Sequence, residues 1–576
     1  MPGLRGSSNR SARDNYRFEI ETSLRGLLRE HRRYLGDPAF DNADKEETAI
    51  KDLERRLKVF EDVLKEEPPD AEFLDIFEEL LKELQTSISD FEDKLHALGA
   101  QEAAKQFGNP SEGPSERYLK LLHSFEDVLH AEGDLLASFE ALLHRFKTPP
   151  EGAVASFETL LHGFSKGLKS FEDLLHQQPL LPLADDLVFL DSFWTLLRQL
   201  EKLLKSFEDL IKASAPTNVE LVASFSELLG DSWRDPLAEL LESFATLVQE
   251  HIPMDPDFNL TPEDEALIKD YETLLHGDEE LLESFACLVK EHAKKHPELL
   301  KQFEAQLAEL EERLGEFEKM IKGFAPQNKP LIQSFEDLLH GLVELLTKFK
   351  EILEETDKKN AERIESFESL IRGLEERLDS FEDILKALKK PDLDLTLSFE
   401  SLIHALADLL EDFEKLRGGA AFPNPERVAL SHKDLNDGYQ KLQQSLATLK
   451  KGFNPVPEEL VLSNLKVDDK TVTLLERFLR GLRRASPAEA SAFTRSVSKN
   501  GWTLIDLCGT LLRQRPLSRR VVTGFRDVVS HQRRLVAAIQ STFARQAQSS
   551  VFLQDALEDV AWLQEQLEER TKQLRR

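Results

Sequence analysis

Apolar residues recur along this chain in one word, Ser-Phe-Glu-x-Leu-Leu-His and close variants, as at Ser124–His130, Ser170–His176 and Ser334–His340. The aromatics fall in pairs 14 residues apart: Phe125/Phe139, Phe157/Phe171, Phe193/Phe207, Tyr271/Phe285, Phe303/Phe317, Phe335/Phe349, Phe367/Phe381 and Phe399/Phe413. From the second member of a pair to the next aromatic of the series the usual step is 18, so the full period is 32. Fourteen residues are two heptads, which return a side chain to nearly the same helix face about 21 Å further along. Each pair therefore sits on one helix. Between Phe335 and Phe349 the apolar positions Leu338, Leu339, Leu342, Val343, Leu345 and Leu346 complete a stripe opposite a charged face.

The 18-residue steps carry the breakers: Pro149-Pro150, Pro216, Pro297, Pro326 with Pro330, and Pro391. Each repeat is then one helix of about 28 residues followed by a reversal of roughly four, and neighbouring helices run antiparallel. A single amphipathic helix cannot bury its own stripe, so the helices must pack on one another. The expected fold is all-α: tandem, antiparallel, one-helix repeats forming a bundle or solenoid-like array, with two Phe layers, and a separate helical C-terminal domain. The paired Phe residues are assigned to core packing. The Ser before each Phe, present 13 times from Ser124 to Ser398, is read as a small residue that permits close helix approach or as a relic of duplication.

The pattern divides the chain. Residues 1–16, with Arg5, Arg10 and Arg13 among Gly, Ser and Asn, read as a disordered basic arm. Residues 17–99 read as diverged helical units, with Phe77 and Phe91 again 14 apart, and 100–116 as a Gly/Pro/Ser linker. The acidic Phe-repeat array spans 117–418, interrupted at 231–236 and 252–262. A linker follows at 419–426, and a helical domain without the Phe word occupies 427–576. Its helices are expected at 427–452, around 471–484, around 491–513, at 518–547 and at the C-terminus.

Charge sharpens that division. The 576 residues carry 107 acids against 74 bases, net −33, but residues 421–576 hold 25 Lys/Arg and 17 Asp/Glu, net +8, leaving −41 on the rest. Repulsion from phosphate disfavours nucleic acid as a partner of the whole chain. Arg513, Arg515, Arg519, Arg520, Arg526, Arg533 and Arg534 form a basic segment suited to an acidic protein partner, most simply another copy's repeat region. No 18-residue apolar run or signal-peptide pattern is present, so a cytoplasmic or other intracellular setting is expected. Two cysteines, Cys287 and Cys508, supply no disulfide framework.

Chemistry-bearing constellations are few. Eight histidines stand five residues after a repeat aromatic, and residues 14 apart on one helix lie about 21 Å apart, too far to share a metal. Asp255, Asp257 and Asn259 mimic half a calcium loop, but Leu260 and Ala266 stand where its Gly and Glu belong; Thr261-Pro262 reads instead as a helix start. No Gly-rich phosphate loop, nucleophile elbow or Cys-x-x-Cys occurs, so no catalytic residue, metal site or cofactor is expected. The expectation is a non-enzymatic scaffold or adaptor that mediates protein–protein interaction or assembly. The alternatives are a lipid-surface protein whose amphipathic helices open onto a membrane, disfavoured by the acidic polar faces, and a cell-surface structural protein.

Overall fold

The computed structural model describes isolated residues between 47 and 58, then 71–108 and 115–575, except short intervals at 147–149, 177–182, 214–218, 231–235, 253–260, 358, 421, 423–424, 454–456, 482–486, 514–516 and 549. The expected N-terminal arm lies outside the described residues, as do Asp255, Asp257 and Asn259 of the calcium-like stretch. Among the described residues the regular structure is entirely helical. The helices are α1 (Ala71–Gly108), α2 (Glu116–Leu143), α3 (Glu151–His176), α4 (Leu183–Ala213), α5 (Val219–Gly230), α6 (Pro236–His251), α7 (Pro262–His292) and α8 (Pro297–Phe324). There follow α9 (Lys329–Thr356), α10 (Ala361–Ala387), α11 (Leu393–Gly419), α12 (Pro425–Lys451), α13 (Glu458–Gly481), α14 (Pro487–Arg513), α15 (Arg519–Ala547) and α16 (Val551–Arg575).

Helix lengths follow the 14/18 alternation: α2, α8 and α9 have 28 residues each, and α10 and α11 have 27. Starts are fixed by caps at orphan backbone donors. Ser115 accepts from Tyr118 N, Asn328 from Leu331 N and Ser518 from Val521 N. At α7, Thr261 and Asp264 form a reciprocal capping box with Pro262 in the first turn, which accounts for the Thr-Pro of the calcium-like stretch without a cation.

The chain divides into two compact units, Met1–Ile384 with Leu402–Tyr439, and Leu385–Ser401 with Gln440–Arg576. Within the first, helices pack on the next and the next but one, as α1 on α2 and α3, α2 on α3 and α4, and α7 on α8 and α9. The second Phe of one helix meets the first of its neighbour, as Phe139 meets Phe157, because the antiparallel turn places them level. Two aromatic ladders result. One runs through Phe77, Phe139, Phe157, Phe207, Phe225, Phe285, Phe303, Phe349 and Phe367 with ring centroids 6.0–6.1 Å apart. The other runs through Phe91, Phe125, Phe171, Phe193, Phe244, Tyr271, Phe317, Phe335 and Phe381 at 5.9–6.4 Å. The rings are tilted or edge-on, the arrangement their quadrupoles favour.

Phe244 holds a place the regular spacing misses. It lies 19 residues after Phe225, so α5 and α6 together make one repeat, broken by the extra residues around 231–235. Three further boundaries differ from the sequence expectation. Helix α1 continues to Gly108, because Gln101 to Phe107 carry no breaker and the linker composition begins only with Gly108. Helix α13 starts at Glu458 rather than near 471, since Leu460, Val461, Leu465 and Val472 form a buried stripe that the charged run around Asp468 disguises. The division between units does not follow the Gly/Pro break at 419–426: residues 402–439 lie in the first unit, and 385–401, inside the expected array, lie in the second.

Candidate interaction surfaces

The repeat aromatics are wholly internal. Phe125, Phe139, Phe157, Phe171, Phe193, Phe207, Phe335, Phe349, Phe367, Phe381, Phe399 and Phe413 are each fully buried. The polar letters of the word are also used inside. The Ser hydroxyl before a Phe donates to the Glu after a Phe on the helix two along: Ser206 to Glu140, Ser224 to Glu158, Ser366 to Glu304, and Ser380 to Glu318 at 2.6 Å. At other positions the repeat histidine makes this bond, with His96, His130 and His276 Nε2 lying 2.8–2.9 Å from the hydroxyls of Ser170, Ser192 and Ser334. Glu and His are four residues apart in the word, so they lie on one face and present alternative partners to the same incoming Ser. The Ser is thus an interhelical hydrogen-bond donor or acceptor, not merely a small residue.

Between the two ladders lies a third layer, polar and absent from the word. Gln85 Nε2 donates to Glu132 at 2.7 Å and to the Leu160 carbonyl at 2.6 Å. Arg313 Nη2 donates to Asp278 at 2.6 Å, both side chains buried, and Tyr271 donates its hydroxyl to the Arg313 carbonyl. Arg377 pairs with Glu311 at 3.3 Å and reaches on to Glu318, the Glu of the word beside Phe317, at 2.8 Å. Mid-helix glycines make the room: a Cβ on Gly277 would stand 2.6 Å from the Glu201 carboxylate, and one on Gly373 would stand 2.5 Å from Glu311. Burial pushes the Glu132 carboxyl up to about 7, against the opposing Gln85 hydrogen bond, and Glu201 up to about 8, against Arg198. Helix periodicity alone could not find this layer, because polar residues at a stripe edge look solvated; Gly133, Gly277, Gly341 and Gly373 in mid-helix were the available signal.

The outward faces are therefore where contacts with other molecules can be made. In the second unit, Arg513, Arg519, Arg520, Arg526, Arg533 and Arg534 are exposed, while Arg515 lies outside the described residues. Arg519, Arg526 and Arg533 are spaced by seven along α15 and share one face. Arg526 pairs with its neighbour Asp527, and Arg533 with Glu568 at 3.2 Å. Arg513 donates to Thr510. The same unit carries two half-exposed indoles, Trp502 on α14 and Trp562 on α16, with centroids 5.9 Å apart, a pair that the spacing of residues along the chain does not reveal. His292, the last residue of α7, and His296, which precedes α8, are four apart in sequence but do not converge on a shared partner: His296 bonds Glu298, and His292 Nε2 is buried without a hydrogen-bond partner among the described residues.

No protein-family model matches this sequence, and no curated protein is similar to it. Solved structures are. The chain is similar to a circular tandem repeat protein at 14% identity and a TM-score of 0.30, over 92% of this chain and 98% of that one. It is also similar to Exo70 of S. cerevisiae at 13% identity and a TM-score of 0.17, over 94% of this chain and 98% of that one. The likeness is one of helical-repeat fold alone. Among the described residues, no helix is long and apolar enough to cross a membrane.

Proposed function

We propose that this protein is a non-enzymatic scaffold or adaptor, in which a rigid acidic array displays charged helix faces to protein partners and the basic face of α15 engages an acidic one. One observation carries the reading: the apolar stripes are consumed within the fold, so every paired Phe is buried and the repeat helices turn mainly charged faces outward. Such a surface gives salt-sensitive recognition through complementary potentials. The lipid-surface alternative requires the same stripes to leave their ladders, and each buried Phe would forfeit roughly 1.5–3 kcal/mol of burial until lipid replaced it.

Sedimentation of the full chain at low and high ionic strength, alongside flotation with phosphatidylcholine and phosphatidylserine vesicles, tests the reading. Salt-sensitive association with no flotation is expected. Flotation accompanied by loss of near-ultraviolet aromatic circular dichroism would replace the scaffold with a protein that unzips onto lipid.

A further inference from the structure

The outer surface of α16 is an acidic face with an aromatic centre. Asp555, Glu558, Trp562, Glu565 and Glu569 recur at intervals of three and four, so they lie along one face, and all five are exposed. Trp562 is 50% exposed, and Trp502 on the parallel neighbour α14, 49% exposed, widens the aromatic centre. Two half-exposed indoles in contact are an apolar feature of the kind that marks an interaction site.

A surface that fits it is present on the same unit. The line Arg519, Arg526 and Arg533 spans 14 residues of α15, and Asp555, Trp562 and Glu569 span 14 residues of α16, so both lines are about 21 Å long with one group per two turns. Guanidinium is the cation that best stacks on an indole face while bridging carboxylates in a planar fork. Within one chain the two lines do not satisfy each other. Arg519 makes no ion pair among the described residues, Arg526 pairs only with Asp527, and Arg533 reaches Glu568, which lies outside the acidic line.

We infer that the chain associates head-to-tail with a second copy of itself, the α15 arginine line of one copy lying across the acidic Trp502/Trp562 face of the other. This rests on the reading of the α15 face as a protein contact and names its acidic partner. A head-to-tail order makes the contact heterologous, so each bound copy keeps one surface free for the next.

Sedimentation velocity of the full chain at low ionic strength tests this with two variants whose changes are at exposed positions. One carries Arg526→Ser with Arg533→Ser, the other Trp562→Ser with Glu565→Ser. The wild-type chain is expected to gain mass with concentration and to lose it as salt shortens the Debye length from about 10 Å at 0.1 M to about 3 Å at 1 M. Each variant alone is expected to associate at least about tenfold more weakly. An equimolar mixture is expected to form a species of two chains and nothing larger, because a single complementary pair of faces survives. Should loss of the indole disturb folding by circular dichroism, Glu558→Gln with Glu565→Gln replaces the second variant. Failure of the mixture to pair, or a wild type that stays monomeric, overturns the inference. Normal association of the α16 variant with loss in the α15 variant also overturns it, while leaving the arginine face bound to some other acidic surface, such as the array. Absence of salt-sensitive association with any protein would remove the scaffold reading as well.

Discussion

In the first unit, helices α2 to α4 and α7 to α9 each carry at least two buried aromatics that touch counterparts on neighbouring helices. In the second, which holds the buried repeat aromatic Phe399, the two clusters of α13 to α16 are built mainly from Val, Leu and Ile, with Phe525 in one and Phe543 in the other. The Ser-to-Glu hydrogen bonds donated from α4, α5 and α10 to next-but-one helices nevertheless span 62 to 66 residues, similar to the 60 to 63 of the second unit. Ser380 donates to Glu318 across 62 residues in the first unit; in the second, Ser463 donates to Glu400 across 63 and Ser518 to Glu458 across 60. His531 and Asp469 in the second unit are also 62 apart. Two cores of different chemistry therefore sit inside one helical spacing. The spacing comes from helix length and turn position, which the polar seam records, and the aromatics determine how the space between helices is filled.

The largest test of this contrast is deletion of a ladder ring. Phe335→Ala, which removes a ring touching both Phe317 and Phe381, is expected to cost about 3–5 kcal/mol, read by hydrogen exchange in α8 to α10. Phe552→Ser, at a ring 79% exposed in the second unit, should stay within about 0.5 kcal/mol. Equal costs would mean that the ladder is not the core of the array.

Next in size is the buried ion pair. Arg313→Met strands Asp278 and should cost about 3–5 kcal/mol, whereas Arg313→Met with Asp278→Leu should recover most of that loss in thermal melts. An additive double variant would show that the two groups are stabilised separately.

Third comes pH. Glu132 and Glu201 hold their protons to about 7 and 8 in the folded array against 4.5 ordinarily, so as pH rises the unfolded chain releases protons first. Stability of the array should therefore fall between about pH 5 and pH 8, the reverse of a paired surface carboxylate. Glu201→Gln should flatten this slope in urea titrations, with the variant gaining on the wild type at the alkaline end. An unchanged slope would place the effect on the other acids of the array.

The smallest effect tests the shared seam. Ser380→Ala in the first unit and Ser463→Ala in the second should each cost about 0.5–1.5 kcal/mol. A cost confined to the first unit would mean that the common offset of the second is incidental.

Helix class, helix length and the pairing of Phe139 with Phe157 were legible because the 14-residue step and the prolines act locally along the chain. Phe244 was not, since the residues around 231–235 shift it off the spacing while the fold restores its place beside Phe193 and Tyr271. The meaning of Ser206 or His130 was likewise hidden, because their partners Glu140 and Ser192 lie two helices away and sequence periodicity describes one helix at a time. At the C-terminal surface the arginines were visible as composition. The Trp502/Trp562 pair was not, since its two rings stand 60 residues apart in sequence and meet only when α14 and α16 lie side by side.

The polar middle layer has a consequence for how such a chain finds its own order. Nearly identical Phe words invite a helix to dock one repeat out of place, and the ladders alone would accept the error. The middle layer differs from helix to helix: Gln85 with Glu132, Arg198 with the Thr273 carbonyl, Asp278 with Arg313, and Arg377 with Glu311. A helix docked one repeat early would bury a carboxylate or a guanidinium opposite the wrong group, at a cost of several kcal/mol. These pairs act as addresses, each admitting one neighbour, and they let a monotonous chain assemble its helices in a single order rather than swap segments between repeats or between chains.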